Sequence, residues 1–413
     1  MREEVKQWSA AARLLARRVE ELGKVSDEAG RLTRTFLSPA MARANALVAE
    51  WMRGAGMTVR EDAVGNVIGR VEGERPDAKT LLLGSHLDTV RNAGKFDGAL
   101  GVVLPIVALE VLRAEGVRLP FAVEVIGFSE EEAVRFPAAY IGSKAYTGRL
   151  GASDLKLSDA NGRTLRGVLE ERVGGRFERP RAAHRGRDLL GYVEVHIEQG
   201  PVLEAEGLAV GVVSAIASQT RGRLRFRGKA GHAGTTPMGL RKDALAGAAE
   251  LVLFAEKFAR ERAPLVATVG TIAVPGGATN VIPGEVALSL DVRHPSDARC
   301  ARAVEALVRE AKKIAAARGL ECAWEQTMQS PATPCARGLM KRLEESVAAV
   351  QGRSLELVSG AGHDAVAMAK VAPVAMLFVR CRDGLSHHPD EYASAEDMGV
   401  ALRVVVDFLR EMR

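Results

Sequence analysis

The sequence predicts an α/β protein interrupted by an inserted α+β domain. Largely apolar runs predict strands buried on both faces, which is typical of parallel sheets covered by helices. These runs are 80–83, 121–128, 189–197 and 374–379. Between the last two, alternating apolar and polar residues predict an antiparallel sheet with one exposed face. The strands predicted in this region are 208–216, 220–227, 266–274, 281–292 and 321–327.

Helical periodicity predicts the remaining elements in chain order. The expected helices are 5–22, 39–54, 99–115, 158–172, 243–262, 297–318, 336–350 and 395–412. Ser38 is a plausible N-cap, and Gly65-Asn66 is a turn joining a strand pair within 59–71. We therefore expect two domains: residues 1–212 with 329–413, and an inserted segment, 213–328, of two helices on a four-stranded sheet.

Composition excludes several classes of protein. At 413 residues, 47% hydrophobic and 26% charged, the chain has ordinary globular proportions. Its charge of +5 is dispersed and only 4% of residues are aromatic, so we expect no nucleic-acid partner. Four cysteines without a CxxC pair argue against a zinc ribbon or disulfide framework. Without a signal-peptide pattern or a long apolar run, we expect a cytoplasmic protein with no membrane partner.

Residues 84–101 contain the first candidate ligands. His86 and Asp88 are two residues apart at the end of a predicted strand, so on an extended chain their side chains share one face. Asp88 could orient the imidazole, as carboxylates often do for metal-ligating histidines. Asp97 follows in a glycine-flanked turn that could admit an ion. Taken alone, this stretch also fits a strand, a loop and a helix with a solvated Asp and an unrelated His.

Further residues of ligand type follow the other predicted strands. The candidates are His86, Asp97, Glu132, His196 and His387. Because open α/β sheets bind ligands at the carboxyl ends of their strands, we expect these side chains to meet. Imidazole and carboxylate donors suit Zn²⁺, Mn²⁺ or Co²⁺. Five donors fit two divalent ions sharing Asp97, which is a template for hydrolysis.

Three consecutive acids, residues 130–132, come directly after the predicted strand 121–128. Such acids repel one another unless a positive charge neutralises them, although an exposed loop is the alternative interpretation. Hydrolysis also needs a carboxylate that moves a proton. Glu131, next to Glu132, is the natural general base.

Nine motifs occur along nearly the whole chain. In order they are GSHLDTV, GKFDG, FSEEE, EVHIEQGPVLE, GHAGTTPMGLRKDA, GGATNVIPGEV, DVRHP, SGAGHDA and GLSHHPDE. This set resembles the hydantoinase/carbamoylase branch of the M20 family of di-metal amidases. His196 points to this carbamoyl-cleaving branch, because M20 aminopeptidases usually have an acid there. The resemblance implies a metallopeptidase-like catalytic domain, with a mixed sheet flanked by helices, and an inserted lid and dimerisation domain.

The resemblance also implies roles for the candidate ligands. The implied ligands of one ion are His86, Asp97 and His196, and those of the other are Asp97, Glu132 and His387. Glu131 would take a proton from the attacking water and later give it to the leaving nitrogen. His387 matches the family's ligand, rather than His388, because that ligand directly follows Gly-x-Ser.

Four further residues receive substrate roles from the same resemblance. The inserted domain would form a homodimer, and His232 would stabilise the oxyanion in the partner's active site. Asn280 and Arg293 would bind the substrate carboxylate, and Gln199 would contact the ureido group. Without the resemblance, His232 and Asn280 fit ordinary turn residues and Arg293 fits a surface strand.

The expected substrate is a small anionic ureido compound. The phrase TVRNAGKFDG is most similar to allantoate amidohydrolases, which implies hydrolysis of one ureido group with release of ammonia and carbon dioxide. N-carbamoyl-L-amino acids, ureidoglycolate, β-ureidopropionate and peptide-like amides are alternatives within the class. A binding protein on an inactive hydrolase scaffold is the alternative outside it. One departure is Ala133, where the family most often has Gly, although Arg135 matches the usual basic position.

Overall fold

The computed structural model describes residues 2–412, with side chains from residue 7 onward. Its α-helices are α1 (Arg2–Gly23), α2 (Pro39–Gly54), α3 (Ala99–Ala114), α4 (Ile141–Tyr146), α5 (Leu165–Val173), α6 (Val202–Ala205), α7 (Ala244–Arg260), α8 (Asp297–Ala317), α9 (Arg337–Gln351), α10 (Ala365–Met368) and α11 (Ala395–Glu411). Across residues 2–412, none of the helices combines the length and apolar character that crossing a membrane requires.

The strands fall in two larger sheets and one short pair. They are β1 (Thr58–Glu61), β2 (Val67–Val71), β3 (Thr80–His86), β4 (Ala122–Phe128), β5 (Leu189–Ile197), β6 (Val210–Ile216), β7 (Ser218–Arg227), β8 (Gly231–His232), β9 (Val266–Thr268), β10 (Ile272–Ala273), β11 (Val281–Ile282), β12 (Glu285–His294), β13 (Glu321–Ser330), β14 (Thr333–Pro334), β15 (Glu356–Ser359) and β16 (Val374–Val379). The chain divides into two compact units, Met1–Ser214 with Cys335–Arg413, and Ala215–Pro334.

The first unit is built on a mixed sheet, which confirms the predicted fold class. Its strand order is β1-β2-β4-β3-β5-β16-β6, and β15 also pairs with β6. The central strands β4, β3, β5 and β16 pair in parallel. The pairs β1–β2, β2–β4 and β16–β6 are antiparallel. The predicted strand 208–216 therefore lies in this main sheet as β6, and not among the alternating strands of the inserted segment.

Register aligns the carboxyl ends of the parallel strands. His86, the last residue of β3, lies opposite Phe128, the last residue of β4. On the other side, His196 of β5 lies opposite Phe378 of β16. Because parallel strands end at one edge, the loops after them meet there.

Helices cover the main sheet and account for the apolar runs. All seven residues of β3 are buried, as are all six of β16. Helix α3 is apolar and buried from Ala99 to Leu109, and it packs on β3, β4 and β5. Helices α1 and α11 pack in turn against α3. Strands covered in this way need no polar face, so their sequences are largely hydrophobic.

The second unit is an antiparallel sheet with two long helices. The strand order is β10-β12-β7-β13, with β9 also pairing with β12, and helices α7 and α8 pack on β7 and β12. Alternate residues of β12 are buried, and Leu288 pairs with Leu224 in the core. The alternation read from the sequence therefore corresponds to one face buried under helices.

Three predicted elements are shortened or divided in the structure. The strand expected at 281–292 is divided into β11, which pairs with β8, and β12, which pairs with β7. The helix expected at 158–172 begins only at Leu165, because Thr164 caps it by accepting the Gly167 N–H. The strand expected at 266–274 is two short strands, 266–268 and 272–273, separated around Gly270. This break gives the second unit a five-stranded sheet where four strands were expected.

Candidate metal centre and catalytic acid

The candidate site lies where the central parallel strands end. β3 ends at His86, β5 carries His196 as its penultimate residue, and β4 leads directly into residues 129–132. All of these residues are buried except Glu132, which is partly exposed. The sheet thus brings together groups that are more than 100 residues apart in the sequence.

Asp97 is the centre of the cluster. Its Oδ1 lies 3.1 Å from His196 Nε2 and 3.5 Å from His86 Nε2. Its Oδ2 lies 3.2 Å from His387 Nε2, which is also 3.6 Å from Glu132 Oε1. The two oxygens of one carboxylate therefore face two sets of partners.

Three overlapping groups have donor atoms close enough to hold a metal ion, with all atoms of each group within 4.8 Å of one another. They are His86, Asp97 and His196; Asp97, Glu132 and His387; and His86, Glu131 and Glu132. The first two contain the residues predicted as the ligands of the two ions. The third places Glu131 against the same cluster, next to the candidate ligands.

The imidazoles of His86 and His196 are oriented for coordination. His86 Nδ1 lies 3.0 Å from the Asp88 carbonyl oxygen, and His196 Nδ1 lies 2.9 Å from that of Ile197. A carbonyl can only accept, so each Nδ1 carries a hydrogen, and a metal ion would take the place of the proton that each Nε2 shares with Asp97. Both Nε2 atoms point to Asp97, so the donor set fits a divalent cation.

The Asp88 carboxylate was expected to orient the His86 imidazole, but its hydrogen bonds are made with backbone groups. Its carboxylate Oδ1 is 3.5 Å from His86 Nδ1, farther than its own carbonyl oxygen. The carboxylate instead accepts two backbone N–H groups, that of Glu131 at 3.0 Å and that of Glu132 at 3.1 Å. Asp88 therefore holds the turn that carries both acids.

Gly98 makes room for the His86 ring. A Cβ atom at Gly98 would lie only 2.4 Å from the imidazole, and its φ of +64° favours glycine. The glycine after Asp97 thus has two reasons to be there, one steric and one conformational. Gly98 is the last residue of the GKFDG motif, but the sequence did not show that the His86 ring requires a glycine there.

Burial, together with neighbouring negative charge, raises the pKa of both Glu131 and Glu132. Burial, joined by the charges of Asp97 and Asp88, raises the pKa of Glu132 to about 7. Burial also raises the pKa of Glu131 well above its ordinary value, and the charge of Glu132 adds to this effect while His86 opposes it. A cation would relieve this repulsion, and a carboxyl with a raised pKa can hold and release a proton near neutral pH.

Hydrogen bonds decide the direction in which the pKa values of Asp97 and His387 are shifted. Burial alone would raise the pKa of Asp97, but its bonds to His196, His387 and His86 hold that pKa well below its ordinary value. The bond to Asp97 raises the pKa of His387 to about 9, against partial burial. Asp97 is therefore an anion, the state in which a carboxyl group binds a metal.

Gln199, predicted to contact the ureido group, lies at the edge of the cluster. Its Nε2 donates to Asp97 Oδ2 at 3.0 Å and to Ser386 Oγ at 3.1 Å. Its backbone has a φ of +54°, an uncommon value for a residue other than glycine. In this structure the Gln199 amide contacts Asp97, a candidate metal ligand. Its contact with the ureido group of a substrate stays a prediction.

Residues that sequence reasoning did not single out surround the cluster. The ring of His363 meets that of His196 edge to face, with centroids 4.5 Å apart. Ser386 and Glu391 lie on the Asp97 side, where Ser386 Oγ is 3.0 Å from Asp97 Oδ2. The motifs SGAGHDA and GLSHHPDE contained these residues, but nothing in their spacing distinguished them. His388 lies apart from Asp97, half-exposed and beside Asp390.

The other predicted substrate residues lie in the second unit. His232 of β8 pairs with Val281 of β11, and the Ala233 N–H donates to the Asn280 carbonyl at 2.9 Å. His232 and Asn280 are thus neighbours on one short, exposed element. Arg293 lies on β12, where its Nε and one terminal nitrogen each contact Asp291 at 2.8 Å.

Comparison with known proteins identifies relatives over nearly the full length of the chain. A probable allantoate deiminase of Oryza sativa subsp. japonica is 43% identical, covering 95% of this chain and 87% of the relative. The N-carbamoyl-L-amino acid amidohydrolase of Geobacillus stearothermophilus is 38% identical, covering 95% and 96% respectively. Among solved structures, an amidase of the hydantoinase/carbamoylase family from Burkholderia multivorans has a TM-score of 0.90 at 34% identity, covering 96% and 97%. Residues 82–411 match peptidase family M20/M25/M40, and the chain belongs to this family, as its motifs predicted.

Proposed function

We propose that this chain is a metal-dependent amidohydrolase that removes the carbamoyl group of a small ureido carboxylate, with allantoate as its substrate. The observation that carries the proposal is the grouping of donor atoms around Asp97 with Glu131 beside them. This grouping combines candidate metal ligands with a buried acid that can move a proton, the two components of metal-assisted hydrolysis. Relatives named for allantoate and for N-carbamoyl amino acids support a ureido substrate.

The proposed ligand sets share one carboxylate. One ion would be held by His86, Asp97 and His196, and the other by Asp97, Glu132 and His387. Zn²⁺, Mn²⁺ and Co²⁺ all suit these imidazole and carboxylate donors. Bound there, divalent ions would polarise the substrate carbonyl and lower the pKa of the attacking water.

Glu131 performs the proton transfers in this proposal. Its carboxylate takes a proton from the attacking water and delivers it to the nitrogen that leaves as the C–N bond breaks. Burial and neighbouring charge raise its pKa, so the carboxyl can hold the proton between the two transfers. Asp88 fixes the backbone of Glu131 and Glu132 and thereby their positions.

The substrate contacts extend the proposal to the inserted unit. Arg293 already binds a carboxylate, that of Asp291, with two nitrogens, and the same fork would bind the carboxylate of the substrate. His232 is exposed beside Asn280 and free of the core, as a residue offered to a substrate must be. Gln199 would contact the ureido group. We further propose that the inserted unit forms the homodimer interface, closes as a lid and supplies His232 to the partner's active site.

N-carbamoyl-L-amino-acid hydrolysis is the second candidate function. A relative of that name from Pseudomonas sp. (strain NS671) is 39% identical and covers 94% of this chain. Both substrate classes combine a carboxylate with a ureido nitrogen, so the metal cluster and Glu131 serve either. The phrase around residues 89–98 favours allantoate. The proposal places the enzyme in the cytoplasm.

A substrate panel tests the proposal. Allantoate, ureidoglycolate, N-carbamoyl-β-alanine and several N-carbamoyl-L-amino acids are compared by ammonia release with Mn²⁺, Co²⁺ or Zn²⁺. The expected result is the highest kcat/KM for allantoate. A higher kcat/KM for an N-carbamoyl-L-amino acid would make that compound the substrate instead of allantoate. No turnover of any ureido acid by metal-loaded protein would favour a binding protein.

A further inference from the structure

Glu391 is a buried acid that contacts the turn carrying Asp97. Only 2% of it is exposed. Its Oε1 accepts the backbone N–H of Phe96 at 2.9 Å and that of Asp97 at 3.0 Å. These groups are nearly 300 residues apart in the sequence, so the contact joins two distant loops next to the metal-ligand cluster.

The same side chain belongs to the turn that carries His387. The Glu391 N–H donates to the carbonyl of His388 at 3.0 Å, which closes that turn. Its Oε2 lies 2.8 Å from Ser386 Oγ, and this hydroxyl also lies 3.0 Å from Asp97 Oδ2. Glu391 thus connects the residue before His387 with both the backbone and the side chain of Asp97.

The surrounding chain is shaped to admit this carboxylate. A Cβ atom at Gly94 would lie 2.3 to 2.4 Å from atoms of the Glu391 side chain. Any larger residue at this position would displace Glu391. An acid buried beside another acid is electrostatically unfavourable unless its hydrogen bonds compensate, so its place here indicates a specific use of its oxygens.

We propose that Glu391 is a positioning residue that fixes Asp97 and His387 relative to each other, so that both can bind the same metal ion. This inference rests on the proposed function, because it concerns the ion held by Asp97, Glu132 and His387. Glu391 does so with its acceptor oxygens and has no contact of its own with the ion. His86 and His196 are set by β3 and β5 and do not depend on this contact.

The test uses two variants of similar size that differ in hydrogen bonding. Glu391→Met removes both acceptors, whereas Glu391→Gln keeps an oxygen for the Phe96 and Asp97 N–H groups and can donate to Ser386. Co²⁺ alone is titrated into metal-free protein without substrate, and affinity and the visible absorption spectrum are recorded. Asp243→Asn is the matched control, because Asp243 also accepts two backbone N–H groups, those of Leu245 and Ala246, but in the second unit.

The proposal predicts a selective loss. In Glu391→Met the second Co²⁺ should bind about 10–100-fold more weakly and with an altered spectrum, whereas the first, which keeps His86 and His196, should be weakened less. Glu391→Gln should recover most of the affinity, and Asp243→Asn should match the wild type. Wild-type binding by Glu391→Met, or equal losses in the Met and Gln variants, would overturn the proposal. Should Glu391→Met fail to fold, Ser386→Ala, which removes the bridging hydroxyl, is expected to weaken the same ion, and unchanged binding would overturn the proposal.

Amide hydrogen exchange separates this proposal from the proposed function. In metal-free protein the Phe96 and Asp97 amides should be protected in the wild type and in Glu391→Gln, and exposed to exchange in Glu391→Met. Protection that is equal in all three would overturn the role of Glu391. Wild-type protein that binds no Co²⁺ would overturn the proposed function, and the exchange comparison would still decide whether Glu391 holds the Asp97 turn.

Discussion

The Asp88 carboxylate accepts the backbone N–H of Glu131 at 3.0 Å and so fixes the position of the Glu131 backbone. The second carboxylate oxygen holds Glu132 in the same way. A candidate ligand and the candidate base therefore share one anchor, which lies two residues after another candidate ligand, His86. The position of the acids relative to the imidazoles depends on this contact.

Replacing Asp88 with Asn should impair catalysis more than folding. An amide has one acceptor oxygen, so its NH₂ group would face one of the two N–H donors and displace the turn. We expect kcat to fall about 10–100-fold with a small change in melting temperature. Asp159→Asn is the control, because Asp159 also accepts two backbone N–H groups, from Asn161 and Arg163, in a turn outside the site. Equal effects in the two variants would contradict a specific role for Asp88.

Glu131→Gln should bind metal and lose turnover. The amide cannot accept and return a proton, so we expect kcat to fall by about 10²–10⁴-fold while metal content stays at the wild-type level. Glu130→Gln is a close control, since Glu130 is a fully buried neighbour whose pKa burial also raises. Its variant should keep most of the activity. Substantial turnover by Glu131→Gln would assign the proton transfers to another group.

Metal affinity should increase with pH up to about pH 9. The bond to Asp97 raises the pKa of His387 to about 9, and burial raises that of Glu132 to about 7. Both must be deprotonated to coordinate, so protons compete with the metal below these values. Calorimetric titration with Mn²⁺ in buffers of different ionisation enthalpy should detect proton release at pH 7. Affinity that is independent of pH from 6 to 9 would contradict this protonation scheme.

Glu124 should stabilise the fold at neutral pH and lose its effect in acid. It lies on β4 and contacts Arg70, Tyr146 and His184 at 2.7 to 3.1 Å. Burial alone would raise its pKa, but His184 and Tyr146 lower it to about 2. Because this pKa is depressed, the stabilisation is present above about pH 4.5 and is lost as the pH falls toward 2.

The Glu124→Gln variant tests the direction of this pH dependence. We expect its melting temperature at pH 7 to lie about 5 °C or more below that of the wild type, with the gap narrowing at pH 3. Glu72→Gln is the control, because Glu72 binds the same Arg70 but its side chain is 66% exposed, and exposed pairs contribute little. A gap that widens in acid would contradict the depressed pKa of Glu124.

The parts of the site that the sequence could predict are those set by the backbone. Apolar runs ending in His86 and in residues 129–132, with His196 near the end of another, identified parallel strands, and parallel strands place their ends at one edge. Such a prediction needs only periodicity and the direction of the chain. For this reason the sequence alone predicts that the candidate ligands lie close together.

The parts that could not be predicted depend on competition between neighbouring groups. The role of Arg293 toward a substrate carboxylate stays a prediction, but its partner in this structure, Asp291 on the same strand and face, was not predicted. Gln199 likewise had two polar partners within reach, Asp97 and Ser386. A motif names the residue, whereas the packed structure decides which partner the side chain meets.

The same limit applied to local structure between the motifs. The stretch 158–164 has helical periodicity, but Asp159 accepts the N–H groups of Asn161 and Arg163 and forms a turn there. Side-chain acceptors that compete for backbone donors stop a helix from starting, which the pattern of apolar residues does not reveal.

The central claim is that two ions sharing Asp97 are needed to cleave a ureido carboxylate. The most direct measurement restores Mn²⁺ stepwise to metal-free protein and follows both binding and ammonia release from allantoate. We predict two Mn²⁺ per chain, with activity rising mainly on the second equivalent, and neither full binding nor activity in Asp97→Asn. Full activity without metal, or complete binding and turnover in Asp97→Asn, would contradict the account.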